Sequence, residues 1–378
     1  MTPNVVDLFC GAGGLTAGLE AAGLSVLKGV DVDRDAKYAY ETNTDATFVD
    51  VDVRSLASNA EPVEQWFSEA SSGPFTDEVE VLAGCAPCQP YSTMSHGEHD
   101  DDDHTNHDEW GLLDAFRQVV VDVEPDVVVA ENVLQVREDD TYAEFVETLA
   151  DLGYAVNDDE NKKVYLPEYG VPQTRRRWVL LASRHGSISL PEPEYTDPAE
   201  FPTVRDCIGH LPPVEAGEAH PEDPTHRARE LSETNRERIE LTDPGGDWRD
   251  WEAAGREDLL LDCHRKASGK SYTAPYGRME PDEPAPTITT QFYNYGSGRF
   301  GHYDPDQNRA LSIREGALLQ TFPPDYDFYD EWSNVGVKNL GRLIGNAVPP
   351  RLGQVIGEAI LEHLASEADG RAVADGTA

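Results

Sequence analysis

The stretch "VVDLFCGAGGLTAGLEAAG", residues 5–23, runs from apolar residues into a glycine cluster and then into a segment of small and apolar residues. The opening run has the length and β-branched content of a buried strand. Gly11, Gly13 and Gly14 supply the turn, and the helix that follows is predicted to end near Gly23. A strand, a glycine-rich turn and a helix present backbone N–H groups where an anion or a nucleotide can sit. The next segment, "SVLKGVDVD", reads as a second strand ending in acids. Asp31 and Asp33 fall about 20 residues after the glycines, the place from which a carboxylate takes ribose hydroxyls. The glycines do not spell G-x-G-x-x-G, so a tight turn without a ligand stays open at this point.

Outward from this unit the pattern repeats. "RDAKYAYETN" is helical, "VEVLAG" and "PDVVVAENV" are strands with a helical pattern over 112–124 between them, and "RRRWVLLAS" is a further strand. Strands that are apolar throughout and alternate with helices predict an α/β fold, with a parallel sheet covered on both faces. From about 186 the chain turns rich in Pro, Gly and charge, as in "GHLPPVEAGEAHPEDPTH", and has no sustained period. Order returns with "SIREGALLQTF" and "NLGRLIGNAVPPRLGQVIGEAILEHLA", an apolar helix entered through two prolines. The predicted organisation is a catalytic and cofactor-binding domain over 1–185 and a smaller irregular domain over 186–295. A segment over 296–365 returns to the first domain, and a disordered tail fills 366–378.

Composition narrows the setting. Acids outnumber bases 72 to 30, for a net charge of −42, and only 7 of the bases are lysines. The acids lie within segments that otherwise read as folded, so disorder does not explain them. Such a surface stays hydrated in concentrated salt, where screening shortens charge repulsion to about 3 Å at 1 M. These features, with five cysteines and no basic-then-apolar leader, predict a halophilic, cytoplasmic protein without a membrane span.

Four places carry candidate chemistry. In "GCAPCQPYS" Cys85 and Cys88 are three apart, but Cys10, Cys207 and Cys263 offer no second pair for zinc. Pro90 opposes the helix that a thioredoxin-like pair needs, so Cys88 reads as an exposed nucleophile at a strand's carboxyl end and Cys85 as a small buried neighbour. A redox pair is the weaker reading. Glu131 in "AENV" ends a strand of valines at the same sheet edge, where a partly desolvated carboxyl can donate a proton to a ring nitrogen. A glutamate capping the next helix has the same sequence. In "QTRRRWVLL" alternation sends Arg175 and Arg177 to one face, suited to a carboxylate, a phosphate or a base carbonyl. The histidine- and aspartate-rich "SHGEHDDDDHTNHDEWG" is read as a solvated loop rather than a metal site.

Taken in order, these stretches resemble the motifs of the C5-cytosine DNA methyltransferases. "DLFCGAGGLTAGLEAAG", "GCAPCQPYS", "ENV", "QTRRR", "LSIREGALLQTFPPDY" and "GNAVPPRLGQVIGEAI" occur in the family's sequence, from about 5 to 362. The resemblance implies a Rossmann-like, S-adenosylmethionine-dependent methyltransferase sheet with a smaller target-recognition domain. It implies that Phe9, Gly11, Gly13, Gly14, Asp31, Asp52, Val53, Pro87, Asn346 and Val348 hold S-adenosyl-L-methionine. Cys88, acting alone, would attack C6 of a flipped cytosine, with Glu131 at N3, Arg177 at O2 and Arg175 placing the loop. Gln89 and Ser92, together with Arg265, Lys266, Lys270 and Arg278 of "CHRKASGKSYTAPYGR", would contact double-stranded DNA. A cognate restriction endonuclease and a monomeric state complete the expectation. The family's mobile loop carries an arginine where this chain has Trp110, and the acidity of that loop predicts DNA binding that weakens at low salt. The Cys-Phe-Thr signature of the family's tRNA-acting branch is missing. A catalytically silent DNA-binding copy would be expected to have lost at least one of Cys88, Glu131 and the two arginines, and all are present.

Overall fold

The computed structural model describes residues 2–70, 78–87, 111–157, 163–266, 273–330 and 336–374, with side chains to 367. The valine-rich strands form the centre, because residues apolar on both faces are stable only where both faces are covered. The strands are β1 (Asn4–Leu8), β2 (Ser25–Asp31), β3 (Thr47–Asp50), β4 (Glu80–Gly84), β5 (Val127–Asn132), β6 (Ala155–Asn157), β7 (Lys163–Tyr165) and β8 (Arg176–Ser183). Their order is β3-β2-β1-β4-β5-β8-β6, with β7 paired to β8. β1 to β5 are mutually parallel, as predicted.

β8 departs from the prediction. It runs antiparallel to β5, β6 and β7, which makes the sheet mixed. A parallel neighbour needs a long crossover, and the connection from β7 to β8 is too short to supply one. β3, β6 and β7 were not foreseen; at three or four residues each, they are too short to show a period.

The helices of this layer are α1 (Gly14–Ala22), α2 (Lys37–Asn43), α3 (Val53–Ser58), α4 (Glu61–Ala70), α5 (Leu112–Val123) and α6 (Asp140–Asp151). Val6, Leu8, Val128 and Leu180 of the sheet pack with Phe67, Phe116 and Phe145 from α4, α5 and α6. Burying each such ring contributes about 1.5–3 kcal/mol.

The chain divides into two compact units, Met1–Tyr165, Arg176–Glu192 and Val348–Ala378 in the first, Leu166–Arg175 and Pro193–Ala347 in the second. The second holds α7 (Val204–Ile208), α8 (Glu233–Glu240), α9 (Trp248–Ala253), α10 (Asp262–Arg265), α11 (Ile313–Leu319) and α12 (Val337–Asn346), and no strand of the sheet among its described residues. Its irregular character matches the sequence reading, but its bounds do not. Residues 296–347 belong to the second unit, and the return to the first begins only at Val348. Polar contacts explain the difference. Gln320, just beyond α11, donates from Nε2 to the Ile344 carbonyl at 2.7 Å, and Gly345 of α12 lies directly on Thr289.

The returning segment is α13 (Pro350–Ala374), so residues 366–374, expected to be disordered, continue the helix. α13 lies against α1 across glycines. A methyl group on Gly18 would overlap the Pro350 carbonyl, and one on Gly353 would come 2.8 Å from the Leu15 carbonyl.

Candidate active site

The turn after β1 begins in strained backbone. Phe9 has φ of +64°, a conformation uncommon for a residue with a side chain, and Gly11 and Gly13 follow at +51° and +86°. The turn is fastened to the end of β2, since Gly11 N–H donates to Asp31 Oδ2 at 2.8 Å and Asp33 N–H donates to Oδ1 at 2.8 Å. Burial raises the Asp31 carboxyl, and these N–H groups oppose the rise. Among the described residues nothing lies within 4 Å of the place a Gly11 Cβ would occupy. Beside Asp31, Val32 is 61% exposed, an apolar side chain at a strand end that the sequence reading did not single out. Its signal, a valine inside an acidic run after a strand, was available.

Asp52 caps α3, accepting from Arg54 N–H at 2.9 Å, whereas Asp50 pairs with Arg34. The choice of Asp52 over Asp50 thus falls on the residue that opens a helix. The Val53 side chain is in the core, which leaves its main chain to face a ligand. Asn346 is exposed at the end of α12 in the second unit, and Val348 is buried in the first.

At the carboxyl end of β5, Glu131 is 7% exposed. Its Oε1 lies 2.9 Å from Arg177 Nε at the start of β8, yet it receives no well-aligned hydrogen bond among the described residues. A carboxylate buried with one oxygen incompletely satisfied stores free energy that a further donor can release. Asn132 next to it donates from Nδ2 to the Ala86 carbonyl at 3.1 Å and accepts Val133 N–H through Oδ1 at 2.8 Å. The start of the Pro-Cys-Gln loop is therefore tied to the Glu-Asn-Val turn. Cys85, read as buried, is half-buried. Pro87 ends the described stretch, and Cys88, Gln89 and Ser92 lie outside the described residues.

The chain matches the C-5 cytosine-specific DNA methylase family over residues 3–362. It belongs to that family. Among its relatives are the Type II methylase M.HgiDII of Herpetosiphon aurantiacus, 41% identical with 96% of each chain covered, and the Type II methyltransferase M1.HphI of Haemophilus parahaemolyticus, 32% identical with 97% and 89% covered. Among solved structures, a methyltransferase of Entamoeba histolytica superposes with a TM-score of 0.64 at 14% identity, covering 96% of this chain and 99% of that one. A prophage-encoded E. coli protein described as a DNA modification methyltransferase gives 0.63 at 22%, covering 96% and 100%, and both likenesses concern the fold. The protein is an S-adenosylmethionine-dependent DNA (cytosine-5-)-methyltransferase.

In this DNA methylase only Arg176 and Arg177 of "QTRRR" lie in β8. Arg175 precedes β8 and belongs to the second unit, where its buried guanidinium donates to the Ile288 carbonyl at 3.3 Å. Gln173, which the sequence reading quoted only as part of the motif, is fully buried and ties its own segment to two others. It donates to the Leu319 carbonyl at 3.0 Å and to Gln320 Oε1 at 2.6 Å, and it accepts Ile288 N–H at 3.1 Å.

Arg278 is a correction. Expected at DNA, it is 1% exposed and donates to the carbonyls of Ile239, Thr242, His302 and Asp304 and to Asn308 Oδ1. With the Gln307 carbonyl at 3.4 Å, six acceptors inside the unit leave it a fastener of loops. Arg265 is exposed and donates to the Glu257 carbonyl, Lys266 is exposed, and Lys270 lies outside the described residues.

Proposed function

We propose that this methylase adds Cys88 to C6 of a cytosine flipped out of duplex DNA, and that Glu131 and Arg177 hold the base. The Glu131–Arg177 pair carries the reading: a buried carboxylate and a guanidinium meet at a sheet edge, with a carboxylate oxygen left to take a further donor. C5 of cytosine is a weak nucleophile. Attack of the Cys88 thiolate on C6, with Glu131 stabilising or protonating N3, moves an electron pair to C5. Arg177 holds O2. Once C5 carries the methyl group, a base takes its proton and the thiolate leaves C6. A stacked base offers neither face to such chemistry, so it must first leave the duplex.

The residues after β1 and β2 fit S-adenosylmethionine. Among the described residues the space over Gly11 is open, Asp31 offers a fixed carboxylate to ribose hydroxyls, and Val32 offers an apolar surface to an adenine ring. When bound, that molecule supplies the electrophilic methyl group. Phe9, Gly13, Gly14 and the main chain at Val53 would line its place, and Asp52, Pro87, Asn346 and Val348 complete the proposed set. The Type II relatives support a restriction endonuclease as companion, and the charge balance supports work in concentrated salt inside the cell.

Duplex DNA tritiated at cytosine C5 tests the mechanism. The wild type and Cys85→Ser release tritium with methyl transfer, and Cys88→Ser releases none. Release by Cys88→Ser, or its loss in Cys85→Ser, would overturn the single-cysteine mechanism.

A further inference from the structure

In a chain with 72 acids and 30 bases, an exposed guanidinium ordinarily finds a carboxylate. Arg34, Arg54, Arg205 and Arg236 do so, with Asp50, Asp52, Asp282 and Glu230. Arg176 is exposed and has no carboxylate partner among the described residues; its guanidinium lies 4.2 Å over the ring of Tyr165. Lys163 is exposed on the neighbouring strand and has none either. Register puts these groups together. Tyr165 faces Arg176 and Lys163 faces Trp178, and residues two apart on a strand share a face. Arg137, with its guanidinium 4.2 Å from the Trp178 ring, adds a third cation to this side. A guanidinium laid on a ring keeps its edge N–H groups directed outward, the geometry that takes two oxygens of one anion.

We infer that this face of the β7–β8 ribbon, carried by Arg176 and Lys163, docks the phosphodiester backbone of the DNA substrate. The inference rests on the reading of Glu131 and Arg177 as the groups that hold the flipped base. Arg176 is the first residue of β8, about 3.3 Å along the strand from Arg177 and at the same sheet edge, with its side chain on the opposite face. A base drawn into the site leaves its flanking phosphates outside it, so cations beside the entrance meet phosphate. Such contacts position the duplex and read no sequence.

Equilibrium binding to duplex DNA over a KCl series, read without turnover, tests this on the full chain. Arg176→Gln and Lys163→Gln weaken binding alike for all sequences. Each makes the slope of log affinity against log salt less negative by about 0.9 relative to the wild type, the value for one lost phosphate contact. In turnover the KM for DNA rises, while kcat and the KM for S-adenosylmethionine hold. Lys37→Gln, which removes an equal charge from α2, leaves the slope unchanged. Wild-type slope and affinity in both ribbon variants would overturn the inference and turn the patch toward a carboxylate-bearing protein partner. A slope change of equal size in Lys37→Gln would reduce it to net charge. Because binding is read without turnover, the absence of tritium release by the wild type would count against the proposed mechanism alone.

Discussion

At the scale of single residues, the site depends on groups whose surroundings leave them incompletely satisfied. Glu131 is held by Arg177 and by burial rather than by a full set of donors. Glu131→Gln keeps the shape and loses the titratable proton, so kcat falls by about 10²- to 10⁴-fold while DNA affinity is retained. Single-turnover methylation beside equilibrium binding checks this, and unchanged kcat would contradict it. Asp7 beneath the turn is a second such group. It accepts from Thr16 Oγ1 at 2.7 Å, its other oxygen has no hydrogen-bond partner among the described residues, and burial pushes its carboxyl up to about 7. An unfolded chain gives up this proton near pH 3.9. Stability from the protonated form is therefore complete below about pH 4 and drains away as pH rises to about 7. In Asp7→Asn, Tm falls less between pH 5 and pH 8 than in the wild type; parallel curves would contradict the assignment. Glu131 and Asp31 were legible because each ends an apolar strand. Arg278 was misread because a basic stretch looks the same whether its arginine faces phosphate or carbonyls 20 to 40 residues away in sequence.

Among the elements, those legible in the sequence are long and uniform. β1, β4, β5 and α5 are apolar runs or strong helical periods, and each appears where the pattern placed it. The direction of β8 was not legible, since an apolar run has no arrow and the length of its connection decides. Nor was the start of the return at Val348, which depends on contacts such as that between Gln320 and Ile344. The pairing of α1 with α13 was visible only as glycines in two distant helices. Gly18→Ala places a methyl group on the Pro350 backbone, which cannot move aside as a side chain would. The variant loses about 1–3 kcal/mol, read as a lower denaturation midpoint with unchanged secondary structure. An unchanged midpoint would show that the helices separate freely.

Taken as a whole, the molecule sets a strongly acidic surface against a polyanionic substrate. At low ionic strength this repulsion reaches far, and at high ionic strength it is confined to contact distance. Affinity for duplex DNA is therefore expected to rise as KCl is first added, against the usual trend of counterion release. A steady fall from the lowest salt upward would contradict this. The cations on the β7–β8 ribbon, without carboxylate partners among the described residues, then count for more than their number, as places where the local field is reversed. The central claim is that this chain methylates C5 of cytosine through Cys88, and one measurement tests it most directly. Duplex DNA incubated with the protein and S-adenosylmethionine in concentrated KCl is digested to nucleosides and analysed by mass spectrometry, beside a Cys88→Ala control. The account predicts 5-methylcytosine with the wild type and none with the control. No 5-methylcytosine from the wild type across salt concentrations, or an equal amount from the control, would contradict it.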